Sequence, residues 1–153
     1  MTRFSAVSLR RAPFVVCVAV VLAACSGRYD MKKDGPLRVK DAWVRATNVT
    51  STAAVYLTLE NRDTAAVLIL GAATQLARAA EFHETMEMQG ASHMNKLDSL
   101  PIARGATLTM KPGGIHIMLI DLTASVAVGD SVALVIHLAD GRTTSVNAIA
   151  RDQ

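Results

Sequence analysis

Five of the seven methionines and three of the four histidines of this 153-residue sequence fall between His83 and Met118. Within that window His83, Met94, His116 and Met118 could do chemistry together. In the stretch "GGIHIMLIDL" (113–122), residues two apart on a strand project from the same face. His116 and Met118 therefore point together, while Ile115, Ile117 and Leu119 point the other way. If His83 and Met94, from a neighbouring hairpin, face the same space, four uncharged donors surround one ion. Thioether sulfur favours Cu(I), and imidazole is compatible with it. Mg²⁺ and Ca²⁺ want oxygen ligands, and zinc sites use Cys, His or carboxylate. A Met/His set also needs no thiolate, which suits an oxidising compartment.

Each of these residues also has a plainer reading. His116 alone would be a core histidine bonded to a backbone carbonyl, and Met118 alone a core methionine. A register slip in the hairpin would turn His83 or Met94 away. Met86, Met88 and His93 stand open between a secondary copper site, exposed loop methionines and core fillers. Met110 is expected to pack in the core, and His137 to be structural or at the surface. Trp43 could shield the core or the metal pocket, with core packing the plainer assignment, and Glu84 and Glu87 read as solvated charge.

The elements that must position the site read as short strands. In "TAAVYLTLEN" (52–61), Ala53, Val55, Leu57 and Leu59 alternate with Ala54, Tyr56, Thr58 and Glu60 before an Asn-Arg-Asp turn. "AVLIL" (66–70) reads as a buried strand, and "EFHETMEM" (81–88) as a strand turning at Gln89-Gly90. "ATLTM" (106–110) runs through Lys-Pro-Gly-Gly into the 115–122 strand. "SVALVIHLAD" and "TTSVNAIA" meet through Asp140-Gly141, a hairpin signal. "GAATQLARAAEF" (71–82) could carry a turn or two of helix. The expected fold is all-β, a single-domain antiparallel β-sandwich or barrel.

The spacing of His83, Met94, His116 and Met118 is H-x10-M-x21-H-x-M. Together with "VKDAWVRAT", "TAAVYLTLEN", "FHET", "PGGIHIML" and "VGDSVALVIHLADG", in that order, it resembles the periplasmic copper chaperones of the PCu(A)C type. The resemblance covers roughly residues 38–150. It implies a cupredoxin-like sandwich that holds one Cu(I) through these four residues. It also implies delivery toward the Cu(A) centre of cytochrome c oxidase, in subunit II, often alongside a thioredoxin-like assembly factor. The sequence departs from the pattern in the "TAAVLIL" segment, which lacks a Gly-Asp-type turn, and shows no Met/His-rich C-terminal tail.

The N-terminus reads as a leader. Arg3, Arg10 and Arg11 precede the apolar run "APFVVCVAVVLAAC", shorter than the ~17–25 residues a membrane-spanning helix needs. Leu22-Ala23-Ala24-Cys25 resembles the lipobox of bacterial lipoproteins. The expected organisation is a signal peptide over 1–24, a lipidated Cys25 with a polar tether to residue 37, and a copper-chaperone domain over 38–153. Without the leader's three arginines, 13 Lys+Arg face 13 Asp+Glu. There is no basic stripe and no aromatic stacking set for nucleic acid. Beyond Cys25 the chain has no cysteine, which excludes disulfides, a blue-copper thiolate and a cysteine nucleophile from the domain. No Ser nucleophile accompanies a His/acid pair, so no enzyme is expected. The composite expectation is an extracytoplasmic, lipid-anchored Cu(I) metallochaperone. A copper-sequestering lipoprotein and a metal-free scaffold lipoprotein are the alternatives.

Overall fold

The computed structural model describes residues 35–48, 51–88 and 90–152. The leader, Cys25, most of the tether and Gln89 lie outside the described residues. The described chain is a succession of ten strands: β1 (Leu37–Arg45), β2 (Thr52–Asn61), β3 (Val67–Ala73), β4 (Ala77–Met88), β5 (Ala91–Leu97), β6 (Leu100–Ile102), β7 (Thr107–Thr109), β8 (Ile115–Leu122), β9 (Ser131–Leu138) and β10 (Thr143–Arg151). They form one continuous sheet in the order β5-β4-β8-β2-β1-β10-β9-β3-β6, with β7 on β2. A single pairing of Ala72 with Ala80 joins β3 back to β4 and folds the sheet over on itself. The result is the expected all-β sandwich, with one parallel pair, β1 with β10.

Alternation builds the core. Val132, Leu134, Ile136 and Leu138 on β9, and Val146, Ala148 and Ala150 on β10, are buried while their neighbours are exposed, apart from half-buried Val135. On the site side of the molecule, Ala53, Val55, Leu57 and Leu59 of β2 pack with Ile117 and Leu119 of β8 and Phe82 of β4. Met110 joins this core at 3 % exposure, as expected. His137 is exposed on β9.

Three expectations need correction. The 71–82 stretch contains no helix: Gly71–Ala73 ends β3, and β4 starts at Ala77. The helix propensity of its alanines yields to the seven cross-strand pairs that β4 makes with β8. The 66–70 segment is a strand buried on one face only, for Val67 and Ile69 are buried and Leu68 and Leu70 exposed. Trp43 is outside the core cluster. The register of β1 on β2 slips by one residue between Lys40 and Trp43, where Asp41 adopts φ 51°, a left-handed conformation that Asp tolerates better than most residues. Val39 before the bulge packs inward with Leu59, but after it Val44 is the inward residue, paired with Val55. Trp43 is thereby turned to the outer face beside Tyr56.

One buried polar side chain ties the far end of the sandwich together. Asn61, 1 % exposed, donates through Nδ2 to the carbonyls of Ala65, Ile102 and Ala103 at 2.9, 2.9 and 3.1 Å. Its Oδ1 accepts from the Asp63 amide at 2.9 Å. Replacing it by Leu strands those groups, each worth ~1–3 kcal/mol when buried unsatisfied. Urea unfolding of Asn61→Leu is expected to show a loss of at least ~2 kcal/mol; a loss below half that value would mean the network is dispensable.

Candidate metal centre

The register of three adjoining strands decides where the four candidate ligands point. His83 of β4 lies directly opposite His116 of β8, and Glu81 opposite Met118. On the other side of β4, His83 is opposite Lys96 of β5 and Thr85 opposite Met94. On β2, Ala54 is opposite Met118. Cross-strand partners share a face, as do residues two apart. His83, Met94, His116 and Met118 therefore all project from the outer face, together with Glu81, Thr85, Lys96 and Tyr56. Phe82, Ile117 and Leu119 fill the inner face.

Met94, His116 and Met118 line an open cavity of about 420 Å³ with Tyr56, Thr85 and Pro112. His83 stands next to it, its ring centre 6.1 Å from that of His116 and tilted by 43°. Metal–nitrogen bonds of about 2 Å put each ring centre about 3 Å from an ion, so this spacing lets both imidazoles reach one ion. Met94 is 57 % exposed, whereas His116 is 4 % exposed.

Hydrogen bonding leaves one nitrogen of each ring available. The Nδ1–H of His116 donates to the Gly114 carbonyl at 3.0 Å, which cannot donate in return, so Nε2 carries the lone pair. That carbonyl is fixed by the turn before β8. Gly114 N–H bonds back to Lys111 at 3.1 Å, Gly113 takes φ 76°, and the Thr85 amide donates to the same Gly114 oxygen at 3.2 Å. Only glycine takes such a φ at no steric cost.

For His83 the roles of the nitrogens are reversed. Nε2–H donates to Glu81 Oε2 at 3.1 Å, and Nδ1 is buried without a partner among the described residues. The other oxygen of Glu81 accepts from Lys96 Nζ at 2.8 Å. Lys96 first, and then His83, hold Glu81 below the usual carboxylate range, so it stays an acceptor. A buried, unpaired nitrogen is costly unless something fills its lone pair, and carboxylate-to-imidazole support is how metal-binding histidines are oriented.

An aromatic wall closes the other side. The Tyr56 ring lies tilted against that of Trp43, centres 4.5 Å apart, and 6.1 Å from that of His116. Burial pushes its phenol up, against the opposing pull of Arg45, which keeps it neutral. Among the described residues no group of three or more His, Cys, Asp or Glu is placed to hold a metal.

Sequence reasoning missed Glu81, Lys96 and Tyr56. The signal was available for Glu81, two residues before His83 on the same strand face. Lys96 depends on the hairpin register, and the position of Tyr56 beside Trp43 on the bulge. Met86, Met88 and His93 are in strands, not a loop, and none is in the core. They alternate onto the face opposite Met94.

Residues 37–150 match the family model described as "Putative lipoprotein LpqE-like". The chain belongs to the LpqE-like lipoprotein family. Over 151 residues it is 30 % identical to "Putative lipoprotein Lxx21020" of Leifsonia xyli subsp. xyli (strain CTCB07), covering 94 % of this chain and 90 % of that protein. The Cu(I)-bound solution structure of DR1885 from Deinococcus radiodurans is similar at 31 % identity and TM-score 0.58, over 80 % of this chain and 86 % of that one. The copper-bound PCuAC domain from PmoF2 matches at TM-score 0.63 and 18 % identity, over 78 % and 95 %. At that identity the likeness concerns the fold.

The tautomers can be read directly. In long-range ¹H–¹⁵N spectra of the metal-free protein near neutral pH, His116 is expected as the Nδ1–H form and His83 as the Nε2–H form. Glu81→Ala is expected to erase the preference of His83 and leave that of His116. The opposite tautomer at either ring would remove its free nitrogen from the site.

Proposed function

We propose that this LpqE-like lipoprotein is a copper metallochaperone that binds one Cu(I) through His83, Met94, His116 and Met118. The observation that carries the reading is the shared outer face of β5, β4 and β8, onto which the register turns two methionines and two histidines, each ring keeping one nitrogen unbonded. The Cu(I)-bound state of the DR1885 relative supports the choice of ion. The lipoprotein naming of the family and of the Leifsonia relative supports an extracytoplasmic protein anchored to a membrane, through lipid on Cys25. The recipient in this reading is the Cu(A) centre of cytochrome c oxidase subunit II, reached directly or through a thioredoxin-like assembly factor. The protein is a carrier and not an enzyme.

The site's own residues account for holding and release. None of the four donors is a thiol, so Cu(I) enters without displacing a thiol proton. His116 and His83 are held by Gly114 and Glu81 and form the fixed half of the site. Met94 sits on the sheet's edge strand and is the half a partner's ligand displaces first. The Glu81 carboxylate, anchored by Lys96, offsets the cation's charge through His83.

Anaerobic Cu(I) titration against a competing chelator tests this. Losing an outer-shell group typically costs metal affinity about 10–100-fold, so Met94→Leu/Met118→Leu is expected to weaken binding by at least about 100-fold. The fold should survive, since Met-to-Leu swaps usually cost less than ~1.5 kcal/mol. Met94→Leu alone is expected to speed copper transfer to an apo Cu(A) domain. Unchanged affinity in the double variant would remove both sulfurs from the site.

A further inference from the structure

The β4–β5 hairpin carries a second set of soft donors that the site above does not use. Met86 of β4 lies directly opposite His93 of β5, and Met88 opposite Ala91. Directly opposed residues have Cβ atoms about 4.5–5.5 Å apart, and diagonal neighbours about 7–8 Å. Met88 and His93 are diagonal neighbours on the face that carries Met86. One imidazole and two thioethers are therefore gathered on a patch that two long, flexible side chains can close around an ion.

These residues do not serve the fold. Met86 is 36 % and Met88 56 % exposed, His93 is exposed, and none belongs to the core cluster. Cross-strand pairing of β4 with β8 ends at Glu84 and Ile115, so this part of the hairpin extends past the strand that backs the rest of β4. Exposed methionines return little burial energy, whereas a thioether's affinity for Cu(I) needs access.

We infer that Met86, Met88 and His93 form a second, more exposed Cu(I) site on the reverse face of the hairpin. This site passes its ion to Met94. His93 and Met94 are consecutive, so they project to opposite faces of β5, and β5 is the edge of the sheet. An ion crossing between the two sets moves around a strand edge, not through the sandwich. With three donors on an exposed ribbon, the hairpin site binds more weakly than the four-donor site. The step is ligand exchange only: copper stays monovalent, and no proton or electron leaves the protein. The inference shares the identity of the ion with the proposed function but uses none of its ligands.

Cu(I) titration of the protein labelled with ¹³C in the methionine methyls separates the two sites. The first equivalent is expected to move the Met94 and Met118 signals, and the second those of Met86 and Met88. In Met86→Leu/Met88→Leu, surface changes that leave the core intact, stoichiometry should fall from two to one with the first affinity unchanged. In Met94→Leu/Met118→Leu, the Met86 and Met88 signals should respond to the first equivalent. Met86 and Met88 signals that stay still to saturation, or a second equivalent that persists in Met86→Leu/Met88→Leu, would overturn the hairpin site. If Met86 and Met88 respond in the unsubstituted protein while Met94 and Met118 never do, the hairpin site stands and the four-ligand reading falls.

Discussion

The antiparallel register that sets His83 against His116 is the constraint on which the whole site rests. A strand's side chains alternate, so a slip of β4 by one residue on β8 would send His83 inward and Phe82 outward while β8, paired with β2, kept His116 where it is. The core prevents the slip. Phe82 and Ile117 are themselves opposite one another and almost fully buried, and a slip of either strand would expose its large side chain. The hydrophobic effect on one face of the sheet thus fixes the donor geometry on the other. The β4–β5 pairing extends the same logic to Met94 through its partner Thr85.

Around that frame the polar contacts decide what the donors can do. Gly114 and Glu81 each occupy one nitrogen of a histidine, and what remains on each ring is a lone pair. Neither support is itself loose: the Gly114 carbonyl also accepts from Thr85, and Glu81 is pinned by Lys96. The sulfur half contrasts with this, because Met94 is largely in solvent. A rigid nitrogen pair with an accessible thioether is a physical basis for binding a soft ion and then giving it up. Ligands buried on all sides would hold the ion and resist exchange.

Much of this is legible in the sequence, and the reasons are local. Period-two alternation in "TAAVYLTLEN" and in "IHIMLIDL" names the inner and outer faces of β2 and β8. The Pro-Gly-Gly turn and Asp140-Gly141 mark where strands reverse. What was not legible depends on events that alternation cannot report. A bulge at Asp41 reverses parity within β1 and sets Trp43 not in the core but on the outer wall beside Tyr56, the other place its sequence position allowed. Alanines at 79 and 80 read as helix formers, yet they sit in a strand because β8 supplies the pairing. The partition of methionines between the two faces of the hairpin rests on the pairing of Met86 with His93.

In the proposed site two imidazole nitrogens and two thioether sulfurs share a single ion. X-ray absorption at the copper edge of the protein loaded anaerobically with one equivalent of Cu(I) measures that donor set directly. The expected spectrum has two nitrogens at about 2.0 Å and two sulfurs at about 2.3 Å, by analogy with metal–imidazole and metal–sulfur bonds at zinc. It should lose one sulfur in Met94→Leu. A first shell of nitrogen and oxygen alone, unchanged by that substitution, would contradict it.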